Sequence, residues 1–163
     1  MTQNIATPFH PESCVVRPEW IDYNGHMNIG YYLVAFDNAC ESFFHFIGLT
    51  PEFRKRHGST TFALESHLNY LREVNRADPL RFEARLLDFD AKRLHFYVEM
   101  FHASAGYLAA SFESLSSHVT IALRKTTPMP VAPAYSPTPG CPSSNAATTP
   151  STPTTRTGST TPR

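Results

Sequence analysis

A single long amphipathic segment constrains the fold of this 163-residue chain more than any other feature of the sequence. Between residues 29 and 47, apolar side chains recur at spacings of three and four, which predicts a helix of about five turns with one wide aromatic face. Gly48 and Pro51 follow where the helix is expected to end. The side chains predicted to be buried on this face are Ile29, Tyr32, Leu33, Phe36, Cys40, Phe43, Phe44 and Ile47.

The segments around this helix have the pattern of strands. Beyond Gly58, apolar and polar residues alternate with period two, which is typical of half-buried antiparallel strands. The apolar set changes parity along the last strand, which predicts a bulge or bend near residues 113–117. Because one helix cannot cover its own apolar face, we expect an α+β domain in which a curved antiparallel sheet wraps around one long central helix. The predicted strands are residues 13–17, 60–73, 80–86, 94–101 and 107–123, and residues 52–56 are compatible with a short second helix.

Composition favours one ordinary globular domain. Lys and Arg number 14, Asp and Glu number 14, and 41% of residues are hydrophobic, so nothing indicates a nucleic-acid partner. No segment has the length or apolar character of a signal peptide or membrane span. The cysteines Cys14, Cys40 and Cys141 are odd in number and form no CxxC pair, which favours a reduced, cytoplasmic setting. After Val131 proline and threonine dominate, so residues 1–130 are predicted to fold and residues 131–163 to form a disordered tail.

The residues directly before the helix, 22–28, read Asp-Tyr-Asn-Gly-His-Met-Asn. Asn24 and Gly25 tolerate positive φ and predict a tight turn. Asn28 is expected to cap the helix, because its side-chain oxygen can accept from a free amide of the first turn. From the spacing alone, Asp22 is as well explained by hydrogen bonds to local amides as by a chemical role.

This loop, together with Tyr31-Tyr32-Leu33 and residues 68–71, 92–94 and 113–119, resembles the 4-hydroxybenzoyl-CoA thioesterase-like branch of the hotdog-fold superfamily. The resemblance covers roughly residues 15–130. It implies a dimer or tetramer with two helices side by side on a continuous sheet, a substrate channel between subunits, and hydrolysis of an acyl-CoA thioester without metal or cofactor. The loop is also similar to that of plant-type acyl-carrier-protein thioesterases. The resemblance therefore does not decide whether the acyl group is carried by CoA or by an acyl-carrier protein.

Hydrolysis of a thioester needs a carboxylate to attack the carbonyl or to activate water, and donors for the developing oxyanion. The resemblance assigns the first role to Asp22. Amides around Gly25 and His26, at the start of the helix, are expected to supply the donors. The His26 side chain can polarise the carbonyl or simply orient the turn. Asn24 and Asn28 are expected to act mainly as turn and cap residues.

Five further residues are secondary site candidates. Glu65, on the strand expected beside the helix, can assist water from across the dimer, although a buried structural hydrogen bond explains it better. Lys92 and Arg93 lie on a hairpin where members of the family often place basic residues against coenzyme A phosphates, and a solvated turn is an equal explanation. Arg72 and Arg76 are weaker candidates for the same role.

Two other functions compete with thioester hydrolysis. A hotdog enoyl-CoA hydratase or dehydratase would use Asp37 or Glu41 on the helix, but the helix lacks a signature histidine. A non-catalytic acyl-CoA-binding domain would need no carboxylate at all. The histidine spacings match no zinc pattern, and no GxSxG motif is present, so neither a metal site nor a serine hydrolase is predicted.

Overall fold

The computed structural model describes residues 8–130. A two-residue strand β1 (Cys14–Val15) and a 3-10 turn (Pro18–Trp20) lead to the long helix α1 (Ile29–Phe46) and the short helix α2 (Pro51–His57). Four long strands follow, β2 (Ser59–Tyr70), β3 (Pro79–Phe89), β4 (Arg93–His102) and β5 (Leu108–Thr120), and a short strand β6 (Lys125–Thr126) ends the fold. The predicted α+β class and the possible second helix are confirmed.

One antiparallel sheet carries the domain, with the strands in the order β1-β3-β4-β5-β2 and β6 paired to β5. In β3 and β4 every second side chain is buried, as the period-two pattern predicts. These inward side chains close over α1, where Phe36 is fully buried and stacks on Phe112 with ring centroids 5.4 Å apart. The sheet therefore covers one face of the helix, and β2 forms one edge of the sheet.

The buried face of α1 differs in part from the prediction. Tyr32, Phe36, Cys40 and Phe43 are buried as expected. Ile29 and Leu33 are 67% and 48% exposed, so their predicted burial is wrong for the single chain. Two alanines that the predicted face did not include are buried on α1. These buried alanines are Ala35 and Ala39.

The strand irregularity also lies elsewhere than predicted. Ala63 pairs with Ser116 and Glu65 with Leu115, so the extra residue is Leu64 in β2, directly opposite the stretch of β5 where a bulge was expected. Along β5 itself, small polar side chains face the core, including the buried Ser114 and Ser116. The parity change in the apolar pattern therefore reflects serines on the inner face, because residues 113–117 of β5 pair with β4 without a register shift. The irregularity of β5 against β4 lies at Ala109.

Several predictions fall outside the described part of the chain. The disorder predicted for residues 131–163 concerns residues that lie there, and so do the first seven residues and Cys141. Within residues 8–130, no helix has both the length and the apolar character that crossing a membrane requires.

Candidate active site

The loop before α1 is a closed turn tied to the neighbouring chain. Ile21 and Met27 form an antiparallel bridge, and the Asp22 amide donates to the His26 carbonyl at 3.0 Å. Gly25 adopts a φ of +83°, which a residue with a Cβ rarely adopts. Asn28 caps α1, since its Oδ1 accepts from the Gly30 amide at 2.9 Å. The predicted turn and cap are both confirmed.

Asp22 presents a half-exposed carboxylate at the mouth of this turn. Its Oδ1 accepts from the Asn24 amide at 2.8 Å, the local hydrogen bond that a turn aspartate makes. Within the described residues, Oδ2 has no hydrogen-bond partner. One oxygen thus holds the loop while the other points to no protein donor, so the structural and chemical roles of Asp22 are compatible.

The amides of the loop are unequally available. The Gly25 amide donates to the Asp22 carbonyl at 3.0 Å, so the expected use of this amide as an oxyanion donor is wrong for this conformation. The amides of His26 and Ile29 donate to no acceptor in residues 8–130. Ile29 is the first residue of an 18-residue helix, where unpaired amides and the helix dipole favour negative charge. The sequence did not single out Ile29, although its place directly after the capping Asn28 is the signal that identifies it.

The His26 side chain is oriented by an acidic neighbour. Its Nε2 lies 3.1 Å from Oε2 of Glu73, and both side chains are substantially exposed. This contact draws the ring toward the segment after β2. The structure therefore supports the orienting explanation for the His26 side chain more than direct polarisation of a carbonyl.

Glu65 lies apart from the loop. Its Oε1 is 2.8 Å from Nε2 of His67, so a side-chain hydrogen bond is present, but Glu65 is exposed and the expected burial is wrong for the single chain. Tyr70, at the end of β2, is the part of this strand that reaches the loop, because its hydroxyl donates to the Ile29 carbonyl at 3.3 Å. Glu65 lies five residues earlier, about 17 Å along an extended strand. Within one protomer, Glu65 and Asp22 do not form one site.

Lys92 and Arg93, on the hairpin between β3 and β4, differ in the contacts of their side chains. The Arg93 guanidinium contacts Oδ2 of Asp90 at 2.6 Å, and the amides of Lys92 and Arg93 both donate to Oδ1 of Asp90. Hydrogen bonds from the Arg93 side chain, and then from the Lys92 amide, hold the pKa of Asp90 below its usual range. Arg93 thus has a structural partner within the turn, whereas the Lys92 side chain has none in residues 8–130.

A cavity of about 290 Å³ opens on the other half of α1, against β2, β4, β5 and α2. None of the predicted catalytic residues lines it. Nothing in the sequence joins Asp37 and Glu41 of α1 to Phe96 or Phe112, which follow in the chain by more than fifty residues. The lining is formed by Leu33, Asp37, Cys40, Glu41, Phe44, Arg54, Thr60, Thr61, Ala63, Phe96, Phe112, Ser114 and Ser116.

Within residues 8–130, no three His, Cys, Asp or Glu side chains lie close enough together to hold a metal ion. Cys40, at the cavity wall, carries a thiol whose pKa is raised, chiefly by burial and secondarily by the Asp37 charge. It is therefore a neutral wall residue rather than a nucleophile.

Known proteins are similar to this chain in sequence. Residues 16–136 match the model of the thioesterase-like superfamily. The betainyl-CoA thioesterase of Pseudomonas aeruginosa is 37% identical over 106 residues, which are 65% of this chain and 67% of that protein. The L-carnitine dehydrogenase/betainyl-CoA thioesterase of Ruegeria pomeroyi is 33% identical over 124 residues, covering 76% of this chain but 25% of its own length. The chain therefore spans about a quarter of that larger relative.

A solved structure agrees at the level of the fold. SAV2348 of Staphylococcus aureus, determined in complex with CoA, superimposes with a TM-score of 0.71 and 28% sequence identity, covering 78% of this chain and 81% of that one. Together with the family match over residues 16–136, this likeness confirms the resemblance carried by the loop. The chain belongs to the thioesterase-like superfamily and has the hotdog fold.

Proposed function

We propose that this chain is an acyl-CoA thioesterase in which Asp22 is the nucleophile or general base and the amides of His26 and Ile29 bind the oxyanion. The observation that carries the proposal is the loop itself. Within residues 8–130, a carboxylate with one unpartnered oxygen and two amides without acceptors lie on one turn at the start of an 18-residue helix. The two requirements of thioester hydrolysis are thereby met by residues 22–29.

The reaction follows from these groups. As a base, Asp22 takes a proton from water while the water oxygen bonds to the carbonyl carbon and negative charge moves to the carbonyl oxygen. The amides stabilise that charge, the C–S bond breaks, and CoA leaves as a thiolate that takes up a proton. As a nucleophile, Asp22 instead forms a mixed anhydride that water then hydrolyses. Both routes give a free acid and CoA.

The relatives suggest a first substrate to test. The curated relatives from Pseudomonas aeruginosa and Ruegeria pomeroyi are named for betainyl-CoA. The acyl group of betainyl-CoA is small and carries a quaternary ammonium. We propose that an acyl-CoA of this class is the substrate of this chain, with the CoA carrier supported by the CoA complex of SAV2348.

The exposed edge of the sheet supports self-association. β2 is a 12-residue edge strand, and Phe62 and Leu64 on it are 47% and 57% exposed. A long edge with unpaired backbone groups and apolar side chains is a template for pairing with another strand. We propose a two-fold dimer in which two β2 strands pair antiparallel, so that the sheets join and the two α1 helices lie side by side. Glu65, close to the middle of β2, then lies near the two-fold axis.

The hydratase alternative gains no support from the structure. Asp37 and Glu41 line the cavity, but no histidine of the described residues lines it with them. No contact within the described residues favours a non-catalytic acyl-CoA-binding domain over the hydrolase. A purely binding protein would gain no advantage from the Asp22 oxygen that has no partner in residues 8–130.

The proposal is tested by thiol release from a panel of acyl thioesters. The panel contains betainyl-CoA, acetyl-CoA, a long-chain acyl-CoA, an aromatic acyl-CoA and one acyl-carrier-protein thioester. We expect release of CoA from at least the small acyl-CoA substrates by a protein that sedimentation shows to be a dimer or tetramer. A folded protein that binds acyl-CoA and releases no thiol from any member would refute the assignment.

A further inference from the structure

Resting on the proposed thioesterase function, we propose that the cavity beside α1 is an acyl-binding pocket selective for a positively charged acyl group. Asp37 and Glu41 supply the negative charge, and Phe44, Phe96 and Phe112 supply the apolar and aromatic wall. The proposed ligand class is a small acyl group that ends in a quaternary ammonium.

The charge of the lining favours a cation. Asp37 and Glu41 lie four residues apart on α1, so they occupy successive turns of the same helix face. A like-charged pair at this spacing destabilises a helix, and a bound cation would relieve the repulsion. Arg54, on α2, brings one positive charge to the same wall, so the cavity holds two carboxylates against one guanidinium. The Cys40 thiol is neutral at physiological pH and leaves this balance unchanged.

The carboxylates of Asp37 and Glu41 make no hydrogen bond within residues 8–130. Asp37 forms no hydrogen bond or ion pair with any residue in 8–130. Among the described residues, Glu41 approaches only Nε2 of His45, at 3.8 Å, which is beyond hydrogen-bond distance. Both acids are therefore available to a ligand, in contrast to Asp90 on its hairpin, whose two oxygens are already engaged.

The aromatic wall suits an ammonium without N–H groups. Phe44 and Phe96 meet edge to face with ring centroids 5.3 Å apart, and Phe96 and Phe112 are 6.4 Å apart. A quaternary ammonium donates no hydrogen bond, so it is held by charge and by ring faces within about 6 Å. A wall of phenylalanines with two carboxylates at its rim provides both.

The position of the cavity requires a second subunit. Asp37 lies nine residues after Asn28, about 13 Å along the helix axis. In a betainyl group only two bonds separate the nitrogen from the carbonyl carbon, so one protomer cannot offer Asp22 and Asp37 to the same small acyl group. In the proposed two-fold dimer the α1 helices are antiparallel, which brings the start of one helix beside the Asp37 half of the other. We therefore assign each site to Asp22 of one subunit and to Asp37 and Glu41 of its partner.

The experiment compares two non-hydrolysable thioethers of CoA that differ in one atom. One carries a 2-(trimethylammonio)ethyl group, and the other carries the neutral 3,3-dimethylbutyl group, in which carbon replaces nitrogen. Calorimetric titration of the wild-type protein should show tighter binding of the cationic thioether, by about tenfold or more. Asp37→Asn and Glu41→Gln should each reduce this preference severalfold while leaving the affinity for the neutral thioether unchanged. Glu52→Gln, an acid on α2 outside the cavity lining, is the control and should keep the wild-type preference.

Equal affinity of the wild-type protein for the two thioethers would overturn the inference, as would variants that weaken both ligands to the same degree. Thiol release from betainyl-CoA is measured in parallel and separates the two proposals. Charge-selective binding without thiol release would leave the pocket in place and refute the hydrolase. Thiol release with no charge selectivity would do the reverse.

Discussion

Replacing Asp22 by Asn separates a catalytic from a purely structural aspartate. The structural contribution of Asp22 is the hydrogen bond that its Oδ1 accepts from the Asn24 amide at 2.8 Å. The side-chain oxygen of asparagine can accept the same bond, so the turn is kept. A hydrogen bond to a charged acceptor exceeds one to a neutral acceptor by about 1 kcal/mol, and we expect Asp22→Asn to lower the free energy of unfolding by no more than that.

The expected loss of activity is far larger. Asparagine neither attacks a carbonyl nor takes a proton from water, so kcat should fall by about 10²–10⁴. At about 1.36 kcal/mol for each factor of ten, the barrier rises by about 3–5 kcal/mol. A stability loss of about 1 kcal/mol leaves a typical domain almost wholly folded and cannot produce such a decrease.

Thiol release gives kcat and kcat/KM for wild type and variant, and a thermal melt gives the stability of each. Asp88→Asn is the matched control, because Asp88 also uses one oxygen to accept from a nearby amide, that of Phe89 at 2.8 Å, on a different hairpin. The control should keep wild-type kcat. An Asp22→Asn variant that melts like wild type and retains kcat within about threefold would refute the catalytic role and favour the turn role alone.

Three further outcomes are expected. When Asp22→Asn and Asp37→Asn proteins are unfolded together and refolded as a 1:1 mixture, half the dimers combine both chains and each of these has one fully intact site. Thiol release at low betainyl-CoA concentration should therefore exceed the mean of the two variants refolded separately, by up to about a quarter of the wild-type rate, whereas a site within one subunit would leave it at that mean. Cys40 should resist iodoacetamide at pH 8 in the native protein and react only in denaturant, because burial raises the pKa of its thiol and keeps it protonated. Peptide mass mapping of the alkylated protein measures this. Asp90→Asn should lower the melting temperature at pH 7, because the lowered pKa of Asp90 in the folded protein stabilises the fold while the carboxylate is ionised. The difference in melting temperature from wild type should therefore decrease below about pH 4, where the carboxylate becomes protonated. An undiminished difference at about pH 2 would contradict this.

The sequence predicted the parts of the fold that depend on local periodicity. Period two in β3 and β4 and the capping Asn28 required no knowledge of distant contacts, and both are confirmed. The turn at Gly25 followed from the tolerance of glycine for positive φ. These features are encoded within a few residues of each other, and the hydrogen bonds that form them are short in sequence.

The features that escaped prediction depend on contacts between distant segments. Whether the Gly25 amide or the Ile29 amide is free depends on how the turn closes, which the residue types do not specify. The cavity joins Asp37 on α1 to Phe96 and Phe112 on separate strands, so no window of the sequence contains it. The bulge at Leu64 follows from the pairing of β2 with β5, and the parity signal appeared on the wrong strand of that pair.

The exposed apolar residues of α1 and β2 have a common explanation. Ile29 and Leu33 follow the helical periodicity of the buried face, yet they are 67% and 48% exposed in the single chain, and Phe62 and Leu64 lie open on the edge strand. Exposed large apolar side chains grouped on adjacent elements mark an interaction surface in soluble proteins. A second chain paired along β2 would lay its own helix beside α1 and cover both groups at once. In the proposed dimer, the pattern that is wrong for the protomer at Ile29 and Leu33 would describe the assembled protein, and the same pairing would bring the Asp22 loop of one subunit to the Asp37 cavity of the other.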